Sequence, residues 1–106
     1  MSWTHLIDYS QIQEALTKLE PFLVFKHSTR CSISTMAKTR LERQLNFKDI
    51  TIYYLDILNY RAISDAISNE FLVVHQSPQL LLIQDGKCTY HDSHNAIDPA
   101  SIKELL

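Results

Sequence analysis

Apolar positions recur along this chain with more than one spacing, and each spacing marks a kind of element. Ile12, Ala15, Leu16 and Leu19 follow at helical intervals and predict one face of a short helix. Ser10-Gln11-Ile12-Gln13 has the form of a capping box that would open it, and Pro21 stops it. Phe22 to Lys26 is short and apolar, which predicts a buried strand. Ile33, Ala37, Leu41 and Leu45 then mark one face of a second helix, with Met36 beside them. Lys38, Arg40, Glu42 and Arg43 fall on its wet side. Thr51 to Ile57, rich in β-branched and aromatic residues, predicts another strand. Asn59 is placed to cap a third helix carrying Ile63, Ala66, Ile67 and Phe71.

Val73 to Pro78 reads as an extended approach to a further buried strand, Gln79 to Gln84, built on Leu80-Leu81-Leu82-Ile83. Asp85-Gly86 is a hairpin signal. Lys87 to His91 should return antiparallel, with Cys88 and Tyr90 on one face. Asp98-Pro99 opens a last short helix whose apolar side is Ile102, Leu105 and Leu106. Strands separated by helices pair in parallel through right-handed crossovers, and the final hairpin adds an antiparallel strand. The expected fold is therefore α/β: a four-stranded mixed sheet flanked by helices on both faces, with an N-terminal helical extension, in one domain spanning residues 1–106.

Composition narrows the function classes. A net charge of −2 offers no attraction to nucleic acid or an anionic membrane, so neither is expected as a partner. No apolar run approaches the roughly 20 residues that span a bilayer, and no signal-peptide pattern opens the chain. Two cysteines are too few for a disulfide scaffold and fit a reducing, cytoplasmic setting. The single glycine, Gly86, excludes every glycine-rich phosphate loop.

The chemistry concentrates in His27-Ser28-Thr29-Arg30-Cys31-Ser32-Ile33-Ser34. Cys31 falls between a strand and the first residues of a helix, where unpaired N–H groups and the helix dipole favour a thiolate. Adjacent Arg30 and the hydroxyls of Thr29 and Ser34 are expected to stabilise the sulfur further. Ser34 occupies the resolving position of a Cys-x-x-Cys motif, so no disulfide can close within the motif. The chemistry that fits is exchange of a small thiol whose resolving partner comes from solution. The plainer alternative is an inert cysteine in a turn.

Three other features bear on this reading. Cys88 is either core filling or a second redox cysteine, the latter requiring its Cα within about 7 Å of that of Cys31. Ser77-Pro78 enters a buried strand, and a cis bond would let the Ser77 backbone face the sulfur and pair with an extended substrate. An ordinary trans proline is the alternative. The five histidines lack the paired spacing of a zinc site, so no metal is expected. His27 or His75 tuning the thiol stays open. Tyr53, Tyr54 and Tyr60 read as packing and surface aromatics.

Three segments together, His27 to Ser34, Val74-His-Gln-Ser-Pro-Gln79 and Asp85-Gly-Lys with Tyr90-His-Asp-Ser-His94, resemble the monothiol bacilliredoxins over almost the whole length. Ser32 stands where that family usually has proline, and Asn95 where it commonly has tryptophan. The resemblance implies a thioredoxin fold with Ser77-Pro78 as a cis-proline beside Cys31. It also implies removal of bacillithiol from protein mixed disulfides through Cys31. Bacillithiol, or another low-molecular-weight thiol, would then be a co-substrate with no cofactor tightly bound. The partners implied are S-thiolated cytoplasmic proteins and a thiol or thiol reductase. A non-catalytic thioredoxin-fold binding module, and a two-cysteine redox protein using Cys88, are the competing readings.

Overall fold

A computed structural model describes residues 3–45 and 50–106. The elements run β1 (Thr4–His5), α1 (Ser10–Thr17), β2 (Phe22–His27), α2 (Ser32–Gln44), β3 (Thr51–Asp56), α3 (Arg61–Phe71), β4 (Gln79–Gln84), β5 (Lys87–Ser93), a 3-10 turn (His94–Ala96) and α4 (Pro99–Leu105). The sheet has five strands in the order β1-β3-β2-β4-β5, one more than the sequence predicts. The addition is β1, which pairs in parallel with β3 through Thr4–Tyr53 and His5–Tyr54. The chain before α1 is thus an edge strand, and α1 itself is the helical extension expected ahead of β2. Two residues are too short to show a period, which is why the pattern missed it.

β2 lies in the middle, parallel to β3 and antiparallel to β4, and all of its residues are buried. Its alternating side chains serve two cores. Phe22 and Val24 join Leu55, Leu81 and Ile83 beneath Ile12 of α1 and Ile67 and Phe71 of α3. Leu23 and Phe25 join Ile52, Leu80 and Leu82 beneath Ala37 and Leu41 of α2 and Ile102 of α4. Each such Leu, Ile or Phe contributes about 1.5–3 kcal/mol relative to exposure. That burial holds short helices that would be marginal alone.

Several local expectations give way to specific competitors. Ser10 does not cap α1; its N–H donates to Asp8 Oδ1, while Gln11 Oε1 accepts the N–H groups of Ile7 and Asp8. Leu19 lies beyond α1 at φ 58° and is exposed, so it is not part of the apolar face. On α2 the inward stripe is Ser34, Ala37 and Leu41, continued by Leu45, with Ile33 and Met36 exposed. A polar residue has displaced the expected one because it has partners inside. Asn59 donates to Asp56 Oδ2 instead of capping α3, which begins after Tyr60. At the last helix Asp98 does cap, accepting from Ala100 N with Pro99 following, while Leu105 and Leu106 remain exposed.

The Asp85-Gly86 turn has positive φ at both residues, 52° and 76°, as a type I′ hairpin requires. β4 and β5 pair Leu82 with Tyr90 and Ile83 with Cys88. Thr89 is therefore an extra residue, a β-bulge. One inserted residue reverses the alternation, so Cys88 packs into the α1/α3 core and Tyr90 into the α2/α4 core. They do not share a face as strict alternation predicts.

Candidate active site

The end of β2 hands the chain directly to the cysteine turn. His27 is its last residue, Cys31 N–H donates to Ser28 O at 3.2 Å, and Thr35 N–H donates to Cys31 O at 3.1 Å. Cys31 is the N-cap residue of α2, extended at φ −110° and ψ 120°. The sulfur-bearing residue is half-buried, and Thr29 and Arg30 beside it are exposed. The first N–H groups of α2 have no intrahelical acceptor, as at any helix start, and they gather where Cys31 stands.

Ser34 is fully buried. Its Oγ lies 2.6 Å from His27 Nδ1 and accepts the Ser28 N–H at 3.1 Å. The His27 ring stacks on Phe25 at 5.5 Å and meets Tyr54 at 5.3 Å. Burial, helped by the charge of Lys38 and opposed by Asp56, lowers the His27 pKa, so the ring is neutral near pH 7. A neutral ring with a bare Nδ1 accepts a hydrogen bond from the Ser34 hydroxyl; with the proton on Nδ1 the bond reverses. In both cases the serine at the resolving position closes the turn that carries Cys31.

The Ser77-Pro78 peptide is cis. Because β2 and β4 are antiparallel neighbours with Lys26 opposite Gln79, Pro78 precedes β4 at the same sheet end where Cys31 follows β2. His94 N–H donates to Pro78 O at 2.9 Å, bringing the chain after β5 to that end as well. A cavity of about 560 Å³ lies between the segment before the proline and the end of β5, lined by residues including Val74, Gln76, Gln79, His91, Asp92 and Ser93 and not by Ser77, Pro78 or Cys31. Ser77 Oγ and Gln79 Oε1 are buried without a hydrogen-bond partner among the described residues.

Cys88 belongs elsewhere. It pairs with Ile83, which pairs with Phe22 at the start of β2. The length of β2 separates that point from the Cys31 turn, about 16 Å at the usual strand rise, well beyond disulfide reach. Burial raises the Cys88 pKa, and its Sγ donates to Tyr90 O at 3.2 Å.

One buried group of this end, Lys26, escapes a reading based on cysteine chemistry. Lys26, following four apolar residues of β2, is fully buried, and its ammonium meets Ser64 and Ser68 of α3 and His75 of the following loop. The signal was present: a lysine in a buried run, and two serines one turn apart on an apolar helix face. Only their partnership required the fold. Among the described residues no three His, Cys, Asp or Glu side chains gather as a metal site, and no helix is long and apolar enough to cross a membrane.

A thiol at a helix start, with a cis-proline preceding the neighbouring strand at the same end of a mixed sheet, is the arrangement of a thioredoxin-fold thiol oxidoreductase. Solved structures agree on the fold. One described as a proposed oxidoreductase with a thioredoxin fold is 28% identical, with a TM-score of 0.85 over 95% of this chain and 90% of its own. Thioredoxins from Trypanosoma brucei brucei and Fasciola hepatica are 14% and 13% identical, with TM-scores of 0.76 and 0.72. They are covered over 86% and 94% of their chains, by 97% and 96% of this one. The family described as monothiol bacilliredoxin BrxC matches residues 4–102, and the chain belongs to that family.

Proposed function

We propose that the protein removes a low-molecular-weight thiol, bacillithiol, from protein mixed disulfides by thiol–disulfide exchange at Cys31, the whole chain acting as one domain. The observation that carries this reading is the isolation of Cys31: residue 34 is a buried serine engaged with His27, and Cys88 stands at the far end of the sheet. The Cys31 sulfur attacks the bacillithiol sulfur of the mixed disulfide. A bond between Cys31 and bacillithiol forms, the original disulfide breaks, and the protein thiolate leaves and takes up a proton. A second thiol from solution, or a thiol reductase, then attacks the bacillithiol sulfur and returns Cys31 to the thiol, leaving as a disulfide with bacillithiol. Oxidation passes from target to acceptor without net loss.

Arg30, Thr29 and the first N–H groups of α2 support the charge on the attacking sulfur, and Ser34 contributes by fixing the turn. Ser77 and Pro78 offer backbone to the substrate in the manner of strand addition. The cytoplasm, where S-thiolated proteins and reducing thiols coexist, is the setting that suits this cycle.

Intact-mass measurement after incubation with bacillithiol disulfide tests the proposal. One adduct is expected, absent in Cys31→Ala and retained in Cys88→Ala. Absence of any adduct on the wild-type protein overturns exchange in favour of a non-catalytic binding module.

A further inference from the structure

Lys26 carries the only formally charged side chain among the fully buried described residues, and nothing in the exchange reaction uses it. Its Nζ lies 3.2 Å from Ser64 O, 2.8 Å from Ser68 Oγ and 3.3 Å from His75 Nδ1. An ammonium has three protons, and here each has an acceptor. Ser64 Oγ also meets His75 Nδ1 at 2.9 Å. Burial and the charges of Lys26 and Arg61, opposed by Asp65, lower the His75 pKa. A neutral ring can then present Nδ1 as the shared acceptor.

His75 stands two residues before Ser77, in the segment between α3 and β4 that delivers the cis-proline. Farther along, Gln79 Nε2 donates to Val74 O at 2.9 Å and closes the segment on itself. The clamp therefore runs from the central strand, through α3, to the loop.

We propose that Lys26 is a positioning residue for the substrate: from inside the sheet it ties His75 to α3 and so holds the segment that presents Ser77 and Pro78 beside the Cys31 turn. This rests on the reading of Ser77 and Pro78 as the substrate groove. Removing the ammonium frees the segment without touching the nucleophile, which the His27–Ser34 pair holds from the opposite face of β2. Reactions that need the groove should suffer, and reactions that need only the sulfur should not. Positioning of this kind separates the two because misplaced binding backbone slows only the step that uses it.

Lys26 also makes the clamp sensitive to pH. Its pKa is lowered to about 8, first by burial and then by Arg61, with Asp65 opposing. His75 faces it from the loop, and Asp65 and Arg61 from α3. Loss of the proton above that value removes one of the three donors.

Two rates are compared in the full-length protein: release of bacillithiol from a bacillithiolated peptide, and alkylation of Cys31 by iodoacetamide followed by mass mapping. Lys26→Met is expected to slow release about tenfold, chiefly through KM, while alkylation stays within about twofold. Lys26→Arg, which keeps the charge and donors, should restore part of the loss. In the wild type the ratio of release to alkylation should fall above about pH 8, and in Lys26→Met it should not. Loss of both rates together, or of neither, overturns the proposal. Pro78→Ala separates the two levels: unchanged release there defeats the groove itself, whereas slowed release with a normal Lys26→Met defeats only the role of Lys26. If Lys26→Met fails to fold, His75→Phe removes the loop side of the clamp and carries the same comparison.

Discussion

The two ends of the central sheet are built to different rules. At the end where β2 meets Cys31, the buried residues include Lys26, His27, Ser34, Ser64 and Gln79, which are all the buried polar side chains among the described residues. At the other end, Cys88 on the hairpin pairs with Ile83, which pairs with Phe22, and the sulfur packs against the apolar core with one hydrogen bond to Tyr90 O. Apolar packing would be the easier way to stabilise either end, since a buried polar group contributes only when its partners are all supplied. The Cys31 end instead spends two adjacent residues of one strand, Lys26 and His27, on opposite faces. One holds the cis-proline segment and the other the cysteine turn. Place, more than residue type, separates the thiol at the helix start from the one packed against the core.

The contrast can be broken most severely at the sulfurs themselves. Cys31→Ala should reduce release of bacillithiol from a thiolated protein to the uncatalysed background, while Cys88→Ser should leave it within about twofold. Comparable losses in both would erase the distinction between the two ends. Alkylation of the unmodified protein provides the next largest effect. Cys88 is burdened by burial and hydrogen-bonded to Tyr90 O, so mass mapping at pH 8 should find Cys31 modified at least about tenfold faster. Equal rates would place Cys88 at the surface, against its packing.

A smaller effect concerns the scaffold of the reacting end. Ser34→Ala leaves His27 Nδ1 and the Ser28 N–H without their partner, at a cost of about 1–3 kcal/mol. Urea denaturation should show it as a lower midpoint, and an unchanged midpoint would mean that the pair does not hold the turn. The subtlest difference is the pH response. The folded pKa of Lys26, about 8, lies below its ordinary value of 10.5, so the unfolded chain binds more protons between those limits. Its contribution to stability therefore rises with pH across that window, and the full burden of burying the ammonium is present below it. The urea midpoint of the wild type, relative to Lys26→Met, should climb between pH 8 and 10.5. A constant difference would contradict a buried, charged Lys26.

Much of this arrangement is legible in the residues. The succession of helices and strands from Ser10 onward, the Asp85-Gly86 hairpin, the Asp98 cap and the position of Cys31 at a helix start all follow from local period and turn chemistry. What local pattern misread was decided by specific partners, some a few residues away and some on other strands. Ser34 displaced Ile33 from the inner face of α2 because His27 and the Ser28 N–H await it. Thr89, as a bulge, sent Cys88 and Tyr90 to opposite faces. Thr4 and His5 became a strand only because β3 offered an open edge.

The sequence by itself determined that a single cysteine would stand between a buried strand and a helix with serine at the resolving place, because helix starts and apolar strands are specified by neighbours within a few residues. Tertiary structure alone decided that Cys88 would stand at the other end of the sheet, and that Lys26 would find its acceptors on α3 and the loop before the proline. Those are matters of strand order and register, which bring the Lys26 ammonium to groups 38 to 49 positions away and which no local pattern encodes.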